Sequence, residues 1–167
     1  MATKYIIFGY NFDHGMRGWI KPEFVDGCHE ADDRMYEMWE DYQNEFVIGG
    51  WDDDDEGYME NNFHEEDGAG SVAWSRIRGS EGPFVIAAEP CGRNYLILHA
   101  YENEMGSGIE TLNQTMTERG ALKLIFDDMM VRIDDMDAPQ AIVEGDNMTV
   151  YDSMGFDEHY YQIVDAR

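Results

Sequence analysis

Thirty-six acidic side chains against eleven basic ones give this chain a formal charge of −25, and any fold it adopts has to keep that charge in water. Carboxylates crowded together destabilise a compact state through self-repulsion. They must therefore occupy outer faces, while enough apolar material is left to build an interior. That material is present: 43% of the residues are hydrophobic, with 10 Tyr, 8 Phe and 4 Trp among them. Disordered acidic tails are poor in aromatics, so this chain is expected to fold. Its 167 residues suit one domain around one core. The expected class is a compact α+β single domain over 1–167, a mainly antiparallel sheet packed with two or three amphipathic helices.

The same charge narrows the partners. Phosphates would be repelled, which argues against direct contact with DNA, RNA or anionic lipid. Basic proteins and metal cations remain, as does an acidic surface that serves only solubility in high salt, a reading the 3 Lys against 8 Arg would fit. Cys28 and Cys91 are far apart in sequence and imply no disulfide, so a reduced intracellular chain is the simpler expectation. The N-terminal MATKYIIFGYNFD lacks the length of a signal-peptide apolar region, and no stretch approaches 18 apolar residues. A cytoplasmic, non-membrane protein is expected, in the host cytoplasm if it is phage-encoded.

Lys4 to Tyr10 reads as a first strand, aromatic and β-branched, with Gly15, Gly18 and Pro22 marking a loop after it. Within 30–46, Met35, Met38, Trp39, Tyr42 and Phe46 repeat at the spacing of an amphipathic helix. Residues 51–70 form an acidic stretch in which consecutive aspartates favour an exposed loop. The apolar runs 71–78, 83–89 and 94–101 suggest a small antiparallel sheet, the last two joined as a hairpin through Pro90, Cys91, Gly92 and Arg93. The spacing over 109–136 predicts helix, with Leu122, Ile125, Phe126, Met129, Ile133 and Met136 on one face. Gly120 would divide it, and Ser107 with Glu110 has the spacing of a capping box. Short closing strands follow. The sequence shows no internal repeat and no linker.

The acids are unevenly placed. Residues 26–67 hold 17 acids and one base, Arg34; residues 127–167 hold 11 acids with Arg132 and Arg167; residues 68–126 hold 6 acids and 5 bases. On the first helix Asp33, Glu37, Asp41 and Glu45 recur every four residues, a row roughly 6 Å apart at about 1.5 Å rise per residue. Glu30, Asp32 and Glu40 broaden it. A solvated helix face usually offsets its acids with i, i+4 bases, and this one has Arg34 alone. Carboxylates accept paired hydrogen bonds from Arg much as phosphates do.

Chemistry-bearing motifs are weak. Asp52, Asp53, Asp54, Asp55, Glu56 and Gly57 partly match a calcium loop, but Phe63 stands where the bidentate Glu belongs. None of His14, His29, His64, His99 and His159 has zinc-ligand spacing. His99 reads as a satisfied core or edge histidine, and Asp157-Glu158-His159 pairs acid with base no more often than chance allows. Gly106-Ser107-Gly108 would open a helix and could bind an anion there, although Glu102 and Glu104 argue against phosphate. The pairs Asp127-Asp128 and Asp134-Asp135 read better as an acidic outer face than as a Mg²⁺ site. Trp19, Trp51, Tyr58 and Phe63 are candidate interface anchors.

The expected function is inhibition by charge mimicry: no enzyme, no cofactor, no metal. A basic nucleic-acid-binding protein or complex would be held by Asp33, Glu37, Glu40, Asp41, Glu45, Asp52, Asp53, Asp54, Asp55, Glu56, Glu65, Glu66, Asp67, Asp127, Asp128, Asp134 and Asp135, with the two acidic regions on one face. Small acidic inhibitors of this kind are typical of phages and mobile elements, an analogy of charge and size. The alternatives are a binding module for a specific basic protein without mimicry, and a divalent-dependent enzyme. Homodimerisation would lengthen any charged face.

Overall fold

The aromatic and β-branched run near the N-terminus forms a strand, β1, over Lys4–Asn11 in the computed structural model. The structure describes residues 2–12, 17–46, 58–61, 70–75, 84–112, 114–155 and 157–167, with the backbone alone at 39, 42–46, 58–61 and 70–75. Both faces of β1 are buried, including Ile6, Ile7 and Phe8, which is why the run is continuous rather than alternating.

The chain divides into two compact units, Met1–Pro90 and Cys91–Arg167. The first contains β1, β2 (Gly18–Asp26), α1 (Cys28–Phe46), β3 (Tyr58–Asn61), β4 (Gly70–Ser75) and β5 (Phe84–Pro90). Its strands form one antiparallel sheet in the order β2-β1-β5-β4-β3. Ala31, Met35 and Met38 of α1 pack on Tyr5, Ile7, Ile20, Ile86 and Ala88. The second unit contains β6 (Tyr95–Asn103), β7 (Gly106–Thr111), α2 (Glu118–Ile133), β8 (Gln140–Glu144), β9 (Asn147–Tyr151) and β10 (Glu158–Asp165). Its order is β7-β6-β10-β9-β8, again antiparallel, and Ala121 and Ile125 of α2 pack on Ile97 and Tyr161. The expected α+β class with antiparallel pairing is what the chain has, with two helices and two sheets among the described residues.

The two units have the same topology: two strands, a helix, three strands, with the first strand paired to the last. The likeness extends to register. In the first unit Tyr5 lies opposite Val25, Gly9 opposite Ile20 and Asn11 opposite Gly18, with a bulge between Ile7 and Gly9. In the second, Tyr95 bridges Thr115, His99 lies opposite Glu110 and Tyr101 opposite Gly108. Every member of one set lies 90 residues from its counterpart in the other, and so do the helix starts, where Ala31 N–H donates to Gly27 and Ala121 N–H to Thr117. Tyr5/Tyr95, Ile7/Ile97, Gly18/Gly108 and Ala31/Ala121 are identical at that offset. A repeat that the sequence does not display is therefore present as backbone.

Several sequence expectations change. Pro22 lies inside β2 rather than in a loop; β2 is an edge strand, and Pro22 falls where the ladder is bulged, the places a sheet tolerates proline. The runs at 84–90 and 95–103 are not a hairpin, since β5 and β6 belong to different sheets. Ser107 and Glu110 cap no helix: they are in β7, paired to β6, and pairing overrides the local pattern. The helix starts at Glu118, where the Thr117 side chain accepts from Gly120 N–H, so Gly120 belongs to its first turn rather than dividing it. At the β8–β9 hairpin Gly145 has φ 62°, which the first position of a two-residue II′ turn requires.

Gly9 sits where a side chain has no room: a Cβ there would meet Ile20 Cδ1 at 2.8 Å and the Val85 carbonyl oxygen at 2.9 Å. Backbone on the neighbouring strand cannot swing aside, so Gly9→Ala is expected to destabilise the protein by about 1–3 kcal/mol. Urea unfolding measures this, and a loss near zero would mean that β5 moves away freely.

Candidate functional site

Helix α1 turns its apolar positions to the sheet and its acids to solvent. Asp33, Glu37, Glu40 and Asp41 are all exposed, and Glu45 lies in the same helix. Arg34, the sole base of α1, is engaged: Nε and one terminal nitrogen donate to the two oxygens of Glu23 on β2 at 2.7 and 2.8 Å, and the other donates to Glu37 at 2.9 Å. This forked bridge ties helix to sheet and holds the Glu23 carboxyl below its usual range. The Arg34 charge is thereby committed to Glu23 and Glu37, leaving Asp33, Glu40 and Asp41 without it.

Asp52, Asp53, Asp54, Asp55 and Glu56, and Glu65, Glu66 and Asp67, lie outside the described residues, as do the side chains of Trp51, Tyr58 and Phe63. Trp19 is half-buried and meets Tyr10 edge-on at 5.0 Å. In the second unit Asp127, Asp134 and Asp135 are exposed, with Asp127 accepting from Lys123 at 2.5 Å. Asp128 departs from the expected outer face: it is half-buried and accepts from the Tyr161 hydroxyl at 2.7 Å. Leu122 and Phe126, expected in the core stripe, point outward at 42% and 61% exposure. Both changes follow from Ala121 and Ile125 being the buried positions of α2, which rotates the inward face toward Asp128. Cys28 and Cys91 are free thiols. Among the described residues no three His, Cys, Asp or Glu side chains could hold a metal ion, and no helix is long and apolar enough to cross a membrane.

Beneath α2 lies a polar chain that sequence patterns did not assemble. His99 on β6 is opposite Glu110 on β7 and Tyr161 on β10. Its Nδ1 is 2.8 Å from Glu110 Oε1, and its Nε2 is 2.9 Å from Nδ1 of His159. Nε2 of His159 lies 2.9 Å from Asp157 Oδ1, in a contact too bent for a hydrogen bond. Both rings are buried, and His99 stacks on Tyr161. Two hydrogen bonds in series, His99 with Glu110 and His159 with His99, need two protons. Two neutral imidazoles carry two: His99 Nδ1 donates to Glu110, and His159 Nδ1 donates to His99 Nε2.

The surroundings act on each group. His99 and its charge hold Glu110 below the usual carboxylate range. Burial, reinforced by neighbouring His99, depresses His159, against the opposing pull of Asp157. Burial and the Asp128 carboxylate push the Tyr161 hydroxyl far up. Such an array can store a proton or pass one from the interior to Glu110, whose side chain is 45% exposed. Beside it, between β7 and α2, Thr111, Leu112, Leu124, Asp127, Asp128 and Val131 line an open cleft of about 420 Å³.

The first unit shows that the fold does not require this polarity. The row equivalent to Glu110–His99–Tyr161 is Ile20–Gly9–Ile86, all apolar. The sequence signal was thin: Asp157 beside His159 is visible, but Glu110 falls in a segment whose pattern predicts helix.

Replacing one member of the histidine pair should cost more than replacing both. His159→Leu strands His99 Nε2 in the interior and is expected to destabilise by about 1–3 kcal/mol; adding His99→Leu should cost less than the sum of the two single changes. Urea unfolding of the four proteins measures this, and strict additivity would mean that the rings are not coupled. The pH dependence has a defined sign. Both His159 and Glu110 are depressed, so each contributes stability that is present above its ordinary pKa, 6.5 and 4.5 respectively, and lost as the pH falls through the folded value. The stability of the native protein relative to the double-Leu variant should therefore decline on acidification from about pH 7 to pH 4. The comparison cancels the relief of surface repulsion common to both.

Comparison with protein-family models, with curated proteins and with solved structures gives no match.

Proposed function

We propose that this protein binds the basic, nucleic-acid-gripping surface of a partner protein and presents carboxylates where phosphates would lie. The observation that carries the reading is the outer face of α1, where Asp33, Glu40 and Asp41 are exposed while the helix's single base is held by Glu23 and Glu37. A helix whose acids served only solvation would gain from interleaved bases at i, i+4. This one keeps its base in a structural bridge and leaves the carboxylates available to an arginine or lysine from outside. With a formal charge of −25, the protein would also attract a cationic partner at long range and speed encounter. Nucleases, restriction complexes and other anti-phage assemblies have grooves of this chemistry, and a small acidic inhibitor suits them by charge and size. The inhibition would be competitive, because one groove cannot hold both ligands.

Capture from host lysate at moderate ionic strength, with and without added duplex DNA, tests the reading. A nucleic-acid-binding protein should be recovered and then lost when DNA is added; a partner indifferent to DNA would overturn mimicry. The combined change Asp33→Asn, Glu40→Gln and Asp41→Asn should weaken capture about tenfold, since exposed charges contribute roughly 0.2–1 kcal/mol each. Glu37 is left in place so that the Arg34 bridge is undisturbed.

A further inference from the structure

The outward positions of α2 differ from those of α1 in kind. Leu122, Phe126 and Met130, spaced i, i+4, i+8, form one exposed ridge, 42%, 61% and 46% accessible. At the 90-residue offset their counterparts are Asp32, Tyr36 and Glu40. At the ends of the ridge the first unit has carboxylates, Asp32 and Glu40, and at its centre Tyr36, half-buried against the core, so the ridge is not something the fold imposes. It also lies on a neutral element: from Glu118 to Ile133 there are three acids (Glu118, Asp127, Asp128) and three bases (Arg119, Lys123, Arg132), in a chain of charge −25.

The charges beside the ridge run against the helix's own preference. Arg119 is in the first turn, where a helix favours acids, and Asp134 is the C-cap, where it favours bases. Both are exposed, and neither has an ion-pair partner among the described residues. At about 100° per residue, Arg119, Lys123, Asp127 and Asp134 fall along one flank of the ridge. The flank is thus basic toward the N-terminus and acidic toward the C-terminus, which makes it complementary to itself when reversed.

We infer that α2 is the contact surface of a homodimer, in which two copies pack their α2 ridges antiparallel about a two-fold axis near Phe126. Along the axis Arg119 lies about 10 Å to one side of Phe126 and Asp134 about 12 Å to the other. The two-fold therefore brings Arg119 level with Asp134 of the second copy, and sets the Lys123–Asp127 ion pair of each copy beside that of the other. Such a contact is isologous and closed. It pairs two charge-balanced helices in a chain of charge −25. It is independent of what α1 binds. A single pair of 16-residue helices buries an area at the low end for specific contacts, so the dimer is weak and concentration-dependent.

Sedimentation equilibrium of the full chain, from about 5 to 500 µM in about 0.3 M salt to screen the net charge, gives the test. The native protein should pass from monomer to dimer in that range, and Phe126→Asp, with an unchanged circular dichroism spectrum, should stay monomeric. Arg119→Glu and Asp134→Arg should each weaken association by about three- to tenfold, and the double variant should return to within about twofold of the native protein. Asp134→Arg lowers the net negative charge, so general repulsion alone would strengthen its self-association; weakening requires a specific pair. Within one helix these two positions are about 22 Å apart, so rescue cannot come from inside one chain. A monomer throughout, a dimer indifferent to Phe126→Asp, or single defects without rescue in the double variant would each overturn the inference. So would a ridge that proves to be covered by a different protein.

Discussion

Each unit depends on the pairing of its first strand with its last. β1 with β5 and β6 with β10 are the central ladders of their sheets. They bring together residues 77 apart in one unit, Gly9 and Ile86, and 62 apart in the other, His99 and Tyr161. Closing such loops costs conformational entropy before any contact is gained. The ladder with β2 or β7 and the helix that follows provide the buried face that repays it. Because the bulge and register of the first hairpin recur at one constant offset, the position under the helix is fixed alike in both units. What occupies that position decides the character of the interior.

The two units differ in opposite senses inside and outside. Inside, the first is apolar across Ile20, Gly9 and Ile86, while the second carries Glu110, His99 and Tyr161. Outside, α1 carries acids and α2 carries Leu122, Phe126 and Met130. Positions facing solvent are free of packing constraint, so they can specialise without disturbing the frame. The inward row is more restricted, because each residue must fill the space its neighbours leave. Gly9 accommodates two isoleucines, whereas His99 needs polar neighbours at hydrogen-bonding distance on both sides.

The sequence was most readable where one local pattern acts alone. β1, α1 and the strands around Gly145 follow from runs, spacing and a turn glycine. It misled where distant pairing decided the outcome. Pro22 reads as loop punctuation until β2 is known to be an edge strand, and Ser107 to Glu110 imitates a cap until β6 claims the segment. The repeated topology was hidden because register, not residue identity, carries it. Of the candidate site, the carboxylates of α1 were legible from charge and period. The inward turn of Asp128 was not, since it depends on which face Ala121 and Ile125 bury. The histidine chain joins residues 11 and 60 positions apart, beyond the reach of any spacing rule.

The buried polar row and the acidic exterior are also linked physically. A positive charge taken out of water is costly unless it is paired and hydrogen-bonded. The histidine pair avoids that cost when neutral, since its two hydrogen bonds need only the two protons that neutral imidazoles carry. Acidification relieves the exterior repulsion but drives a proton towards the buried His159, whose charged form burial opposes. Lowering the pH therefore relaxes the surface and burdens the interior of the second unit together. The first unit has no such dependence in its row, because Ile20, Gly9 and Ile86 carry no group that titrates.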